Sequence, residues 1–319
     1  MTVLGGSGVR VSALGFGGAV IGNLYREVSD EAASATVDAA WESGVRYFDT
    51  APHYGLGLAE RRLGAALAAR PREQFAVSTK VGRLLEPVPN PDRAQDVPGG
   101  FAVPADFARR WDFSADGVRR SLESSLQRLG LERVDLVLLH DPDEHWQQAV
   151  DEAYPALHAL REQGVVGAIG AGMNQWPMLR RFVVETDVDA VMLAGRYTLL
   201  DHSGEPLLAE CAGRGVPVLA AGVFNGGLLA TDAPAAQPVY DYRPAPPELV
   251  ARAERLVEIC RRRGVSLPQA AIAFVARHPA VASVVLGARS PEEVRRNAES
   301  LNAPVPEELW EELAAETAC

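Results

Sequence analysis

Eight short apolar segments alternate with longer segments of helical periodicity along almost the whole chain. The apolar segments are residues 11–18, 45–50, 74–80, 133–140, 165–172, 188–194, 216–222 and 281–287, and the helical segments between them are 30–44, 58–70, 114–130, 147–164, 176–187, 204–215 and 247–264. Strands that alternate with helices build a parallel sheet. Eight such strands in 319 residues predict a single (β/α)8 barrel domain over residues 1–319, and fit a six-stranded open sheet less well.

Two segments are too long to be simple connections between a strand and a helix. Residues 82–113 follow the third predicted strand, residues 224–246 follow the seventh, and both are rich in proline and glycine. Loops of this length in a compact domain are usually functional or disordered. Because both come after the carboxyl ends of strands, a barrel would place them over the mouth where barrel enzymes carry their active sites.

The composition argues against several kinds of partner. The net charge is −11, whereas a protein that binds nucleic acid needs a concentrated basic surface. The three cysteines and six histidines show no metal-ligand spacing, so we predict no metal site. No segment reaches the ~18 apolar residues needed to span a bilayer, and the N-terminus carries no secretory signal. We therefore expect a cytoplasmic protein that binds neither nucleic acid nor a membrane.

Ionisable side chains stand at the ends of three consecutive predicted strands. Asp49 is near the end of the second strand, and Tyr54 follows it closely. Lys80 ends the third strand and His140 ends the fourth. Each of these residues alone has an ordinary structural explanation, such as a turn cap, a packed ring or a lysine that extends towards solvent. Because the carboxyl ends of barrel strands meet at one mouth, the four side chains together predict a catalytic group.

Such a group suits proton transfer to or from a substrate oxygen. A phenol with a pKa near 10 is poorly matched to neutral pH, so we expect the ammonium of Lys80 to lower the pKa of Tyr54 by favouring the phenolate. Asp49 would keep Lys80 charged and oriented, and His140 would hydrogen-bond the substrate oxygen. The carbon that bears this oxygen would gain or lose a hydride.

Motifs spread over nearly the whole chain resemble the aldo/keto reductase superfamily. In order, they are FDTAPHYGLGLAERRLG, STKVG, VDLVLLHDPD, GAIGAGMNQW, GVFNGGLLA and VVLGARSPEEVRRN. The resemblance implies that Tyr54 donates or accepts the proton, that Lys80 and Asp49 tune its acidity, and that His140 orients the substrate. It also implies a nicotinamide cofactor extended across the carboxyl face of the barrel. The segments GFGG and GLG lack the context of a Rossmann fingerprint, which agrees with that implication.

Within this superfamily the chain is similar to the aldose dehydrogenase group. The similarity rests on the segments APHYGLGLAERRLG and GGLLA and on the long loop after the third strand. The group includes L-fucose, D-threo-aldose and L-galactose dehydrogenases and a pyridoxal 4-dehydrogenase, so the resemblance implies oxidation of an aldose or similar cyclic hemiacetal to its lactone. An NADPH-dependent aldehyde or ketone reductase and a pyridoxal 4-dehydrogenase are the alternative activities. A non-catalytic cofactor-binding barrel and a phosphate-binding lyase or isomerase are more distant alternatives.

The same resemblance assigns residues to the nicotinamide end of the cofactor. Asn174 corresponds to one member of a Ser-Asn pair that binds the carboxamide, and Met173 stands in place of the serine. Ala221 stands in place of an aromatic residue that often stacks on the nicotinamide. We assign Gly222 and Phe224 to the same part of the site.

The segment that follows the eighth strand bears on the choice between NAD and NADP. In many NADPH-specific relatives a lysine and an arginine bind the 2′-phosphate, and here Gly287 and Glu293 stand at the corresponding positions. A carboxylate would repel a phosphate, but it can accept hydrogen bonds from a free ribose hydroxyl. We therefore expect NAD, although Arg289 leaves NADP open, and the resemblance places Asn297 against the adenine.

Three residues are candidates for the substrate site. His53 precedes Tyr54, Trp111 lies late in the 82–113 segment, and Trp146 follows the fourth strand. Aromatic walls suit sugar or pyridine rings, but each of these side chains has a structural alternative in shaping the turn or capping the barrel mouth. The expected partner is a small sugar or carbonyl compound.

Overall fold

The eight predicted strands form a closed parallel barrel in which each strand pairs with the next one along the chain. The computed structural model describes residues 1–89, 95–96, 99–233, 238–241 and 243–317. The barrel strands are β1 (Leu14–Gly17), β2 (Tyr47–Asp49), β3 (Ala76–Val81), β4 (Leu136–His140), β5 (Ala168–Met173), β6 (Ala190–Ala194), β7 (Val218–Ala221) and β8 (Val281–Leu286). The last strand closes the barrel on the first, with Val284 of β8 opposite Leu14 of β1. The predicted (β/α)8 fold is therefore confirmed.

Helices surround the barrel and connect its strands. They are α1 (Asp30–Glu42), α2 (Leu58–Leu67), α3 (Ala115–Leu129), α4 (Tyr154–Glu162), α5 (Trp176–Glu185), α6 (Glu205–Arg214), α7 (Pro247–Arg262), α8 (Leu267–Ala276), α9 (Pro291–Asn302) and α10 (Glu307–Thr317). The sequence pattern did not separate α8, α9 and α10 as helices. Within the described ranges, no helix has both the length and the apolar character needed to cross a membrane.

Alternate residues of the strands face opposite layers of the core. Leu136 and Leu138 of β4 pack inside the barrel with Tyr47 and other interior residues. Val137 and Leu139 pack outwards, in the cluster that contains the apolar faces of the helices. This period of two fixes which strand-end side chains point into the barrel.

The N-terminal end of the barrel is closed by a short hairpin that the sequence analysis did not anticipate. Thr2–Val3 pairs antiparallel with Arg10–Val11, and Val11 packs inside the barrel. The first predicted strand began at residue 11, but β1 begins only at Leu14. The apolar character of Val11 is explained by this plug instead of by the barrel sheet.

The helix predicted over 147–164 is interrupted near its start. A short helix, Trp146–Gln148, leads into a wider helical turn, Ala149–Ala153, and α4 continues from Tyr154. Pro155 accounts for the interruption, because proline has no N–H to donate to the carbonyl four residues earlier and its ring displaces that carbonyl.

The segment after β3 contains two antiparallel hairpins where its composition predicted an irregular loop. Arg83–Pro87 pairs with Phe107–Trp111, and Gln95–Asp96 pairs with Phe101–Pro104, while residues 90–94 and 97–98 lie outside the described part. The segment after β7 contains a turn at Asn225–Gly227 and a hairpin that joins Val239–Tyr240 to Arg243–Pro244; residues 234–237 and 242 lie outside the described part. These strands have only two to five residues, which is too short to show a clear periodicity, and for this reason the sequence did not predict them.

Candidate active site

The period of two directs three of the predicted catalytic side chains into the carboxyl end of the barrel. In β2, Asp49 has the same orientation as Tyr47, which packs in the barrel interior. In β4, His140 likewise has the orientation of Leu138. Lys80 lies opposite Leu138 in the pairing of β3 with β4. The three polar side chains therefore lie at the carboxyl ends of their strands, beyond an apolar interior.

Tyr54 reaches the same place from a tight turn between β2 and α2. The N–H of Tyr54 donates to the carbonyl of Ala51 at 3.1 Å. Gly55 then adopts φ +60°, and a Cβ at this position would lie 2.2 Å from the carbonyl oxygen of Gly22. Only glycine combines this conformation with this close approach, so the glycine after Tyr54 fixes the direction in which the chain leaves the site.

Lys80 connects the carboxylate and the phenol. Its ammonium donates to both oxygens of Asp49, at 2.8 and 2.6 Å, to the carbonyl of Thr50 at 3.0 Å, and to the phenolic oxygen of Tyr54 at 3.1 Å. The side chain of Lys80 is 2% exposed and that of Asp49 is 4% exposed. A buried ion pair is stable only when such additional hydrogen bonds satisfy both charges, and here they also place the ammonium on Tyr54.

Asp49 has further support that the sequence analysis missed. Ser78 of β3 donates its hydroxyl to Asp49 at 2.7 Å, and the hydroxyls of Ser78 and Tyr47 are hydrogen-bonded at 2.8 Å. Ser78 and Tyr47 lie two residues before Lys80 and Asp49, respectively. The strand period applied to polar residues as well as apolar ones would have identified both.

Burial and the neighbouring charges shift the pKa values of Lys80 and Tyr54, and the sequence predicted only part of this effect. Burial alone lowers the pKa of Lys80, but the charge of Asp49 and the contacts with Tyr54 more than offset this effect, and the pKa lies above its usual value. Burial raises the pKa of Tyr54, and this effect exceeds the lowering by Lys80. Lys80 therefore acts on the pKa of Tyr54 in the predicted direction, and burial, which the sequence could not indicate, makes the net shift a rise.

Two neutral imidazoles lie beside the phenol. The ring centroid of His140 is 5.9 Å from that of Tyr54 and 5.7 Å from that of His53. Burial, reinforced by the positive charge of Arg83, lowers the pKa of His53 to about 2 and holds the pKa of His140 well below its usual value. The buried Nδ1 atoms of both rings have no hydrogen-bond partner among the described residues. A neutral imidazole has one N–H donor and one acceptor nitrogen, which suits a hydrogen bond with an uncharged substrate oxygen.

The hairpins after β3 bring Trp111 to the edge of this site. Trp111 is 42% exposed, and its ring stacks on the buried Phe113. The guanidinium of Arg83 lies 4.3 Å from the ring centroid of Trp111, and Arg83 is ion-paired with Asp141, the residue after His140. The sequence analysis singled out neither member of this ion pair, because the two residues are far apart in the chain and only the folded hairpin brings them together.

The structure places Trp146 elsewhere. Its ring centroid is 4.8 Å from that of Phe182 on α5, and the guanidinium of Arg181 lies 3.7 Å from the ring. These are contacts of a residue that packs a helix against the barrel. The structural alternative for Trp146 therefore explains its position better than a substrate contact does.

Every residue that was predicted to contact the cofactor lines one cavity of about 600 Å³ at the carboxyl end of the barrel. These residues are Asn174, Gly222, Phe224, Gly287, Arg289, Glu293 and Asn297. Leu24 also lines the cavity, and it packs in the same small apolar cluster as Tyr54 and Phe101. The cavity thus adjoins the catalytic candidates.

The wall of the cavity near α9 has its own hydrogen bonds. Ser290 caps the helix by accepting from the N–H of Glu293 at 3.3 Å, and the carboxylate of Glu293 accepts from the N–H of Arg289 at 2.8 Å. The guanidinium of Arg289 donates to the carbonyl of Leu24 at 3.2 Å, across the cavity edge. Glu293 therefore stabilises the start of α9 in addition to facing the cavity.

Asn225 is a cavity residue that the sequence analysis missed. Its amide nitrogen donates to the carbonyl of Gly195 at 3.3 Å, and its buried Oδ1 has no hydrogen-bond partner in the part of the chain that the structure describes. Asn174 likewise donates to the carbonyl of Ala194, at 2.9 Å. An unpaired buried carbonyl group is costly, and it indicates a ligand with a donor at this place. The amides, together with the guanidiniums of Arg289 and Arg296, form a set of donors and acceptors that suits a dinucleotide.

The fold and the residues gathered at its mouth are those of a barrel enzyme that acts on a carbon–oxygen group. The sequence pattern of the Aldo/keto reductase family matches residues 13–316, so the chain belongs to this family of oxidoreductases, which use NAD(P)H.

Two relatives agree with that assignment, and a solved structure has a similar fold. The chain is 47% identical to D-threo-aldose 1-dehydrogenase from Pseudomonas sp over 313 residues, which cover 97% of this chain and 94% of that protein. It is 39% identical to pyridoxal 4-dehydrogenase from Microbacterium luteolum, over 98% of this chain and 96% of that protein. The fold is similar to that of aldo-keto reductase AKR11C1 from Bacillus halodurans in its holo form, with a TM-score of 0.77 and 24% identity over 99% of this chain and 95% of that one.

Proposed function

We propose that the chain oxidises an aldose, or a similar cyclic hemiacetal, to its lactone with NAD. The observation that carries the proposal is the contact between the Lys80 ammonium and the Tyr54 hydroxyl, 3.1 Å long and held by Asp49. The similarity to D-threo-aldose 1-dehydrogenase over nearly the whole chain supports an aldose as the substrate.

In this proposal each member of the group has one task. Tyr54 accepts the proton of the anomeric hydroxyl at its phenolic oxygen, while the anomeric carbon loses a hydride and forms the carbonyl of the lactone. Tyr54 accepts this proton as a phenolate and becomes a phenol in the step. Lys80 stabilises the phenolate before the transfer, and Asp49 keeps Lys80 charged and in place. His140 hydrogen-bonds the same substrate oxygen as a neutral imidazole, which suits an oxygen that carries no full charge.

A bound nicotinamide would supply the acceptor for the hydride. Its carboxamide would bind near Asn174 and Asn225, since these amides line the cavity and the Oδ1 of Asn225 lacks a partner among the described residues. Gly222 and Phe224 would line the ring, and Arg289 and Asn297 would bind the remainder of the dinucleotide. Glu293 supports NAD over NADP, because its carboxylate faces the cavity and would repel a 2′-phosphate.

Two other activities use the same residues. Similarity to pyridoxal 4-dehydrogenase favours a pyridine hemiacetal as the second candidate substrate. The ring of Trp111 at the edge of the site would suit either a sugar or a pyridine ring. An NADPH-dependent aldehyde reductase is the third candidate, and it would need Arg289 to compensate for Glu293.

Absorbance at 340 nm separates these candidates. The purified protein is assayed with L-fucose, L-galactose, D-arabinose, L-xylose and pyridoxal, each with NAD and with NADP, and with simple aldehydes and NADPH. We expect NADH formation from at least one aldose, with kcat/KM at least 10-fold above that for any NADPH-linked reduction. Rapid NADPH-linked reduction without oxidation of any sugar would refute the proposal. Pyridoxal as the best substrate would replace the aldose by the second candidate.

A Tyr54→Phe variant tests the alternative of a non-catalytic barrel. Loss of a positioned general acid or base typically lowers a rate about 10²- to 10⁴-fold. We expect a loss of this size with unchanged nucleotide binding, measured by quenching of protein fluorescence. Unchanged turnover would show that Tyr54 is not the proton-transfer residue.

A further inference from the structure

Arg83 and Asp141 form an ion pair at the edge of the catalytic site that has no task in the proton transfer described above. Arg83 follows β3 and Asp141 follows β4, so the pair joins two neighbouring strand ends at the mouth of the barrel. The side chain of Arg83 is 14% exposed and that of Asp141 is 24% exposed. Both charges are therefore largely withdrawn from water, yet each keeps some surface open at the mouth.

The backbone has a positive φ at Asp141 and at Gly82, the residue before Arg83. Asp141 has φ 45°, in the left-handed region that aspartate and asparagine adopt more readily than most residues other than glycine, and its N–H donates to the carbonyl of Gly172 at 3.1 Å. Backbone strain of this kind persists where the surroundings fix it, and it is frequent at functional sites. Arg83 follows Gly82, whose φ of +103° and close approach to Phe113 direct the chain sharply away from β3.

The groups around the pair suit a ligand with several hydroxyls. The carboxylate of Asp141 lies 3.7 Å from Nε2 of His140, and the guanidinium of Arg83 lies over the exposed ring of Trp111. The Nδ1 atoms of His53 and His140 are buried and have no partner within the described residues. Planar donors and acceptors beside an aromatic face form a polar pocket wall that suits the hydroxyls of a polyol better than it suits a hydroxyl-free aldehyde.

We propose that the Arg83–Asp141 pair binds hydroxyl groups of the substrate next to the reacting carbon, and that it thereby selects polyhydroxylated substrates over simple aldehydes. This inference rests on the proposed function. A hydroxyl both donates and accepts, so two neighbouring hydroxyls can donate to the carboxylate and accept from the guanidinium at the same time. A site built to bond a hydroxyl discriminates strongly against the analogue that lacks it.

The test combines one protein change with one substrate change. Asp141→Asn removes the carboxylate charge, and asparagine tolerates the left-handed backbone as aspartate does. The substrates are the preferred aldose, its 2-deoxy and 3-deoxy derivatives, and benzaldehyde assayed in the direction of reduction. Glu86→Gln is the matched control, because Glu86 is paired with Arg110 in an exposed ion pair on the same hairpin. Arg83→Lys is a second variant that keeps the charge but loses the planar fork.

We expect removal of one of the two substrate hydroxyls to lower kcat/KM about 10- to 100-fold with the unaltered protein and less than 3-fold with Asp141→Asn. Benzaldehyde reduction and the Kd for NAD should change by less than 3-fold, and Glu86→Gln should behave as the unaltered protein. Arg83→Lys should show the same loss of discrimination, so it carries the test if Asp141→Asn fails to fold.

Two results would overturn the inference in different ways. An equal loss on the aldose, its deoxy derivatives and benzaldehyde would mean that Asp141 only orients His140, and the proposed function would stand. Absence of aldose oxidation by the unaltered protein would refute the proposed function itself and the inference with it.

Discussion

Lys80 shows how one buried side chain can control the acidity of another. Its ammonium contacts Asp49 and Tyr54 at the same time, at distances between 2.6 and 3.1 Å. Burial raises the pKa of Tyr54, and Lys80 opposes this effect without cancelling it. The ammonium therefore keeps the phenol closer to a useful acidity than the surrounding protein alone would allow.

Removal of the buried pair should lower the fraction of Tyr54 that is phenolate at neutral pH. The variant combines Lys80→Met with Asp49→Asn, because Lys80→Met alone would leave a buried carboxylate unpaired. We expect kcat/KM for aldose oxidation at pH 7 to fall about 100-fold or more, and the alkaline end of its pH profile to move to higher pH, since the phenolate loses its ammonium. Initial rates from pH 6 to 10 measure both effects.

The unaltered protein and Tyr54→Phe are the two controls for this double variant. Tyr54→Phe should be slower than the double variant, and its kcat/KM should lose the dependence on alkaline pH. A double variant that is slow but has the pH profile of the unaltered protein would contradict the assigned role of Lys80, since a purely structural loss does not move a titration.

Among the secondary-structure elements, the start of α9 contains a residue, Glu293, that stabilises the helix end and also faces the cavity. Glu293 accepts from the N–H of Arg289, and the side chains of both line the cavity. Glu293→Gln retains an oxygen that can accept this hydrogen bond but removes the charge. We expect the ratio of kcat/KM with NADP to that with NAD to rise about 10-fold, because a 2′-phosphate no longer meets a carboxylate.

Glu292 provides the control for this change. It lies in the same first turn of α9 but is absent from the cavity wall. Glu292→Gln should leave the cofactor ratio unchanged. An equal rise in both variants would show that the general charge of the helix start matters and that the position of Glu293 does not.

The hairpin after β3 depends on a single glycine. Gly82 has φ +103°, and a Cβ there would lie 2.2 Å from a ring carbon of Phe113. Gly82→Ala would add backbone strain to overpacking against a fully buried ring, and the two effects together should cost about 2–4 kcal/mol of unfolding free energy. Denaturation in urea measures this loss.

Gly44→Ala separates the two causes. Gly44 also has a positive φ, of +86°, but no atom lies within 4 Å of the position of its Cβ. This variant should lose only the backbone contribution, about 1–2 kcal/mol. Equal losses at the two positions would mean that the contact with Phe113 is easily relieved.

For the whole molecule, the sequence predicted what depends on local periodicity and missed what depends on distant contacts. The barrel strands were recognisable because each is a separate apolar run, and Asp49, Lys80 and His140 were recognisable because they stand at the ends of such runs. The ion pair of Arg83 with Asp141 joins residues from two segments that only the hairpin brings together.

The effect of burial on the Tyr54 pKa was not predicted, for a related reason. A charge next to a phenol can be predicted from strand order, but the extent of its burial cannot. Phe101, from the segment after β3, packs 6.2 Å from the ring of Tyr54, and Leu24 is bridged to Phe101. These residues help to enclose the phenol, and nothing in their local sequence indicates that they do so.

The two buried histidines should make the stability of the whole molecule sensitive to acid. In the unfolded chain a histidine has a pKa of about 6.5, whereas the pKa of His53 is lowered to about 2 and that of His140 lies well below its usual value. Below pH 6.5 the unfolded state therefore binds protons that the folded state does not, and the folded state loses stability as the pH falls.

We expect a loss of about 1.4 kcal/mol per pH unit for each histidine between pH 6 and 5, measured by urea denaturation from pH 5 to 8. His140→Gln should reduce this slope by the share of one histidine. Equal slopes in the unaltered protein and in His140→Gln would mean that His140 takes up a proton in the folded state as it does in the unfolded chain, and this would contradict its proposed role as a neutral hydrogen-bond partner of the substrate oxygen.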